Sequence, residues 1–97
     1  MEIARVKGTV VATRKDVRLN GFKMLVLELA DVSGRDKGGV PVVALDTVDA
    51  GAGDLVLIVR GSSARQAAHL STTPVDAVII GVIDNIEFSG ESTYSGN

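Results

Sequence analysis

From Ala4 onward apolar and polar positions alternate: Ala4, Val6, Gly8, Val10 and Ala12 fall on one side, Arg5, Lys7, Thr9, Val11 and Thr13 on the other. A period of two belongs to a strand with one buried face, and it predicts a strand over residues 3–13. Gly8 in its middle weakens a flat strand but suits a sharp bend. The polar stretch beginning at Arg14 ends in Asn20-Gly21, a pair that tolerates positive φ, so a turn is expected there before a second strand over residues 22–29.

Residues 31–39 hold Ser33-Gly34, Asp36 and Gly38-Gly39 and read as a loop at a hairpin end. A short third strand follows over residues 40–46, with Pro41 near its start, where a missing N–H is best tolerated. Residues 49–54, with Gly51 and Gly53, make another tight connection. Then the alternation stops. Leu55-Val56-Leu57-Ile58-Val59 is apolar throughout, and so is Ala77-Val78-Ile79-Ile80-Gly81-Val82-Ile83 within residues 75–88. Between these runs Ser62 or Ser63 is a suitable N-cap for the one credible helix, residues 64–69, which ends before Pro74. From Ser89 the chain is Ser, Gly and polar residues, so a single domain is placed in residues 1–88 and a flexible polar tail in residues 89–97.

About five strands and one short helix, in a chain too short for βαβ crossovers, predict an all-β fold. The economical form is a small five-stranded antiparallel barrel, OB-like, because closure removes exposed edges. Each strand of such a barrel shows one face to the interior and one to water. The two uniformly apolar runs break that pattern, and one short helix covers only part of their outer faces. The remainder forms the kind of exposed patch that marks an interaction site, so an oligomer packed through these strands is expected.

A length of 97 residues excludes a two-lobed enzyme with a cleft between domains. Phe22, Phe88 and Tyr94 are the only aromatic residues, so the apolar fraction is nearly all Val, Ile, Leu and Ala. Ten Lys and Arg against twelve Asp and Glu leave a net charge of -2, which argues against a protein built to hold polyanions. The local basic group Arg14, Lys15, Arg18 and Lys23 supports the alternative function, an OB-like barrel binding single-stranded nucleic acid or another macromolecular partner. Such sites need aromatic platforms, and only Phe22 is near.

Other chemistry finds little support. His69 has no second histidine or cysteine with which to share a metal. Asp46, Asp49 and Asp54 lack the spacing of a calcium loop and read as turn residues. Ser62 and Ser63 stand near Arg65 and His69 but outside any nucleophile motif. Gly51-Ala52-Gly53 precedes a strand and lacks the Lys-Ser/Thr of a phosphate loop. No enzyme activity, cofactor or metal is expected, and no run approaches the roughly 18 consecutive apolar residues of a membrane span. The absence of cysteine suits a reducing cytoplasm.

An ordered set of motifs resembles one family. Gly8-Thr9-Val10-Val11-Ala12-Thr13-Arg14-Lys15-Asp16 precedes Leu19-Asn20-Gly21-Phe22-Lys23-Met24-Leu25-Val26. Asp46-Thr47-Val48 and Ala50-Gly51-Ala52-Gly53-Asp54 lead into the first apolar run and out through Gly61-Ser62-Ser63-Ala64-Arg65. Pro74-Val75-Asp76-Ala77 then leads to Ile80-Gly81-Val82-Ile83-Asp84. Together they resemble the EutN/CcmL family of bacterial microcompartment vertex proteins, over nearly the whole of residues 1–88. The resemblance implies a cyclic homopentamer that caps the fivefold vertices of a carboxysome-like shell in the bacterial cytoplasm, among facets of hexameric shell proteins. It implies no catalytic residue; the charge balance and the lack of a long apolar run separately disfavour a nucleic-acid partner and leave no membrane partner expected. By the same resemblance Gly61, Ser62, Ser63 and Arg65 stand near subunit contacts or the fivefold pore. Gly51 and Gly53 join them as turn glycines that let neighbouring backbones approach. Glu28 departs from the uncharged polar residue expected at its position.

Overall fold

The alternation of the first strand decides which side chains meet inside. In the computed structural model, which describes residues 1–13, 15–61, 64 and 76–96, Ala4 and Val6 are buried in a barrel interior while Arg5 and Lys7 face outward. Five strands close that barrel: β1 (Glu2–Val10), β2 (Lys23–Leu29), β3 (Val42–Asp46), β4 (Leu55–Arg60) and β5 (Ala77–Val82), in the order β1-β2-β3-β5-β4. Every seam is antiparallel except β3–β5, a parallel join of two register pairs, Leu45 with Val78 and Asp46 with Ile79. Residues 11–13, expected to extend β1, lie beyond its end. The register of β1 against β2 shifts between Val6 and Gly8, the bend for which Gly8 was suited.

The interior is a continuous cluster that includes Val6, Leu25, Leu27, Val56, Ile58 and Ile79. A second cluster lies outside the barrel wall. There Leu45, Val59 and Val78 pack around Ala64, with Leu19, Phe22, Met24 and Ile80 at the margin. One end of the doubly apolar β4–β5 surface is therefore covered by the chain itself, which narrows the exposed patch expected from the sequence. The helix expected over residues 64–69 lies outside the described residues apart from Ala64, which is helical and fully buried. A short 3-10 turn, Val17–Leu19, occupies the polar connection before β2, with the Asp16 carboxylate capping the Arg18 N–H at 2.9 Å.

The segment after β5 corrects the expectation of an unstructured polar tail from Ser89. Residues 85–95 form a hairpin of β6 (Asn85–Phe88) and β7 (Glu91–Ser95). Ser89 and Gly90, with φ of 54° and 81°, have the two positive values of a type I′ turn, whose twist matches the strands it joins. The Ser-Gly pair carried that signal, but the short, polar second strand hid it. Residues 77–88 are thus two strands in two sheets, separated at Ile83 and Asp84.

Candidate assembly surface

Arg5 reaches outward from β1 and ties together two loops that the chain separates widely. Its Nη1 donates to the Gly53 carbonyl at 2.9 Å, its Nη2 to the Gly34 carbonyl at 2.5 Å, and its Nε to Asp36 Oδ1 at 3.2 Å. A planar guanidinium can serve three acceptors at once from one rotamer, which an ammonium on a flexible stem does poorly. Lys7 pairs with Asp36 and, at 3.4 Å, with Glu28. The departure at Glu28 thus joins a charge cluster on the outer wall.

The loop that Arg5 grips is itself ordered by Asp31, whose Oδ1 accepts from the Ser33 N–H at 2.8 Å, the Ser33 hydroxyl at 2.5 Å and the Arg35 N–H at 3.1 Å. The hairpin rests on this loop. The Thr93 hydroxyl donates to the Val32 carbonyl. The Tyr94 ring lies so close to Gly34 that a Cβ there would stand 2.6 Å from Cδ1. A line of contacts therefore runs from β1 through the loop to the hairpin.

Two carboxylates on this framework, and a third at the 3-10 turn before β2, are acidified. The hydrogen bond from Lys7 holds Asp36 below the ordinary carboxylate range, hydrogen bonds from Ser33 do the same for Asp31, and Arg18 brings Asp16 down to about 2. A depressed native pKa means that the stability it carries is present above the unfolded value, near 3.8, and is lost as pH falls through the native value. Acidification from pH 5 toward pH 2 is expected to loosen residues 31–36 and the hairpin before the barrel interior. Amide exchange resolved by residue checks this, and because the groups are exposed the effect should shrink in high salt.

The three aspartates of residues 46–54 act as turn residues. Asp46 is buried and accepts from the Val48 N–H at 3.0 Å and the Ala50 N–H at 2.8 Å, while Lys23 spans Asp46 at 3.3 Å and Asp49 at 3.0 Å. Asp54 Oδ2 accepts from the Gly51 N–H at 2.9 Å, and the Gly53 N–H donates to the Val6 carbonyl at 2.9 Å, pinning this connection onto β1. Gly61, at φ 67°, follows β4 directly and its N–H donates to the Asp76 carbonyl at 2.7 Å. Among the described residues, chain neighbours aside, no atom lies within 4 Å of where a Cβ would stand at Gly53 or Gly61, and the positive φ at each calls for glycine. Gly51 and Gly53 share one turn with Asp54. Ser62, Ser63 and Arg65 lie outside the described residues, as do Arg14 of the basic group and His69. Among the described residues no group of three or more His, Cys, Asp or Glu is placed to hold a metal ion.

Sequence reasoning missed the grip of Arg5, the hairpin anchors and the pairing of Lys23, read as part of a basic group, with Asp46 and Asp49. An outward arginine on an alternating strand is ordinary, and nothing local distinguishes one that serves two distant loops.

On the outer wall of β1 and β4, an open groove of about 690 Å³ runs between the barrel and the hairpin, lined by Met1, Ile3, Leu29, Val32, Leu57 and Phe88 among others. Phe88 is 59% exposed. A smaller hollow of about 380 Å³ opens at the β3–β5 seam, bounded by Val40, Pro41, Val43, Arg60 and Asp76. The larger hollow presents mostly apolar wall, whereas the smaller one sets Val40 and Val43 beside the charged Arg60 and Asp76.

The sequence pattern of a family described as ethanolamine utilisation protein EutN/carboxysome matches residues 1–84, most of the chain that builds this barrel. The chain belongs to the EutN/CcmL family. It is 44% identical over 95 residues to the carboxysome shell vertex protein CcmL of Nostoc sp., covering 98% of this chain and 94% of that protein. The solved structure of Gloeobacter violaceus CcmL, 44% identical, superposes with a TM-score of 0.90 over 99% of this chain and 98% of that one. The GrpN pentameric microcompartment shell protein from Rhodospirillum rubrum, 39% identical, gives a TM-score of 0.81 over 91% and 99%. This EutN/CcmL chain is thus a structural vertex protein of a microcompartment shell.

Proposed function

We propose that five copies of this chain assemble into a closed ring that caps the fivefold vertices of a microcompartment shell in a bacterial cytoplasm, docking against hexameric facet proteins. The observation that carries this reading is the agreement of the whole barrel with CcmL and with the GrpN pentameric shell protein. A cyclic ring joins unlike patches of successive copies, and apolar wall outside a closed barrel suits that use better than it suits a ligand site. Gly61, Ser62, Ser63 and Arg65 are proposed to stand at subunit contacts, with the Gly51 and Gly53 turn facing a contact or the pore. The support for this assignment is the family resemblance of those stretches, and for Gly61 its place beside Arg60 and Asp76 at the second hollow.

Five copies of a 10.1 kDa chain make about 50 kDa, and native mass spectrometry of the purified protein tests the ring directly. A monomer or dimer at micromolar concentration overturns the reading. Arg65→Glu replaces a planar donor set with a negative charge and is expected to weaken the ring while the monomer keeps its fold. An unchanged pentamer would remove Arg65 from the interface.

A further inference from the structure

Asn20 and Gly21 stand at the tip of the connection before β2 with the dihedral angles of a type II turn: φ -63° and ψ 137° at Asn20, and φ 85° at Gly21. The turn is held at its flanks. The Asn20 N–H donates to the Val17 carbonyl at 3.1 Å and the Phe22 N–H to the Leu19 carbonyl at 3.2 Å. The peptide unit that joins Asn20 to Gly21 is not held. Among the described residues neither its carbonyl nor its N–H has a hydrogen-bond partner, and the Asn20 side-chain amide has none either. Both residues are exposed, and, chain neighbours aside, no described atom lies within 4 Å of where a Cβ would stand at Gly21. Asn85 shows the opposite arrangement. Its Oδ1 accepts from the Ser92 hydroxyl at 2.8 Å, and the residue that follows, Ile86, is β-branched and paired with Tyr94 in the hairpin. Of the asparagines in the chain, only Asn20 precedes a glycine.

We propose that Asn20 is a site of spontaneous deamidation, at which the folded chain is converted by water into aspartate and isoaspartate forms. The Gly21 amide nitrogen gives up its proton to solvent and its electron pair forms a bond to Asn20 Cγ. The Cγ–Nδ2 bond breaks, and the side-chain nitrogen leaves as ammonia. Water then opens the resulting cyclic imide. Addition at Cγ breaks the new N–Cγ bond and leaves aspartate, whereas addition at the main-chain carbonyl breaks the original peptide bond and leaves isoaspartate; nothing is oxidised or reduced. Ring closure requires ψ of Asn20 to leave 137°, so the peptide unit must rotate. Glycine accepts φ of either sign, and the unit has no hydrogen bond of its own to give up, so the turn offers little resistance. Ile86, branched at Cβ and fixed in a ladder, has neither freedom. Conversion reaches beyond the turn. Leu19 and Phe22, on either side of it, pack at the margin of the outer cluster around Ala64. Isoaspartate carries the main chain through its Cβ, which lengthens the path between them by a methylene, and both products add a negative charge to a chain whose net charge is -2.

Incubation of the purified full chain at neutral pH, followed by tryptic peptide mapping with mass spectrometry, tests the proposal. Cleavage after Arg18 and Lys23 isolates residues 19–23, and this peptide is expected to give two new species, each about 1 Da heavier than the parent. Fragment ions should locate the change at Asn20 and find none at Asn85, and an isoaspartate-specific methyltransferase should label one of the two species. Gly21→Ala shields the attacking nitrogen with a methyl group and disfavours positive φ, so it is expected to slow the conversion about tenfold. Asn20→Gln, at an exposed position, should keep the circular dichroism spectrum of the parent and abolish the mass gain in this peptide, and it carries the test if the alanine variant does not fold. Asn20→Asp adds the charge without the extra methylene. Amide exchange over residues 17–22 should therefore rise in the isoaspartate form and stay at the parent level in Asn20→Asp; equal exchange in the two overturns the reach to Leu19 and Phe22. An Asn20 that converts in urea but not in the folded chain overturns the proposal, because the fold would then hold the peptide unit against rotation. Conversion no faster than at Asn85 overturns it as well. The vertex function stands in either case.

Discussion

Replacing Asp46 with alanine is expected to cost the folded chain about 2–4 kcal/mol, because two backbone donors lose a charged acceptor and one of them, the Ala50 N–H, is buried. The Asp46 side chain is only 1% exposed, so water does not readily take its place. Ala50 itself belongs to the interior cluster, and the turn it begins carries Gly53, whose N–H binds Val6. Loss of the carboxylate therefore reaches the barrel wall through the backbone. Lys23 keeps Asp49 and the Ala50 carbonyl as partners, which limits the damage on its side. For a domain of this size the loss corresponds to a fall in Tm of roughly 10–25 °C, measured at fixed protein concentration because ring formation stabilises the folded chain by mass action. Asp46→Asn preserves a carbonyl acceptor for one donor and should recover part of the loss. A fall of only a few degrees for the alanine variant would mean that both donors find other partners.

Gly34→Val is expected to release the hairpin while the barrel stays closed. At φ 80° a β-branched residue is strained by roughly 1–3 kcal/mol, and its Cβ would collide with the Tyr94 ring. The ring must then leave the loop, and the Thr93 bond to Val32 is strained with it. The chain has a single tyrosine and no tryptophan, so its intrinsic fluorescence reports on Tyr94 alone. Gly34→Val should change the intensity of that emission and raise amide exchange across residues 85–95, with the interior strands still protected. Tyr94→Ala in the same chain removes the collision but leaves the backbone strain, so the double variant separates the two contributions. An unchanged Tyr94 signal would show that the loop accommodates the branched side chain without moving the hairpin.

The two variants probe features of different legibility. Asp46 was read as a turn residue, and it is one, because aspartate binding backbone N–H groups two and four residues on is a local matter. The closeness of Gly34 to Tyr94 joins positions 60 residues apart, and no local pattern announces it. The same division runs through the fold. Period-two alternation placed β1 and its inward residues, and the turn-forming residues bounded β2, β3 and β4 to within a few positions. The hairpin escaped because four polar residues and one tyrosine in β7 carry no burial signal.

From the sequence alone came the barrel strands, the bend at Gly8, the closed all-β architecture and the family, since each is written in local periodicity, turn chemistry or ordered motifs. The uniform apolar runs also announced that β4 and β5 have an outer cover, but not what provides it. Closure decided that: Ala64 packs against Val59 and Val78, while Leu57 and Phe88 are left lining an open groove. The three-way grip of Arg5, the docking of Tyr94 on Gly34 and the apolar groove beside the hairpin likewise join residues far apart along the chain. Such contacts depend on strand order and register, which only the packed barrel defines.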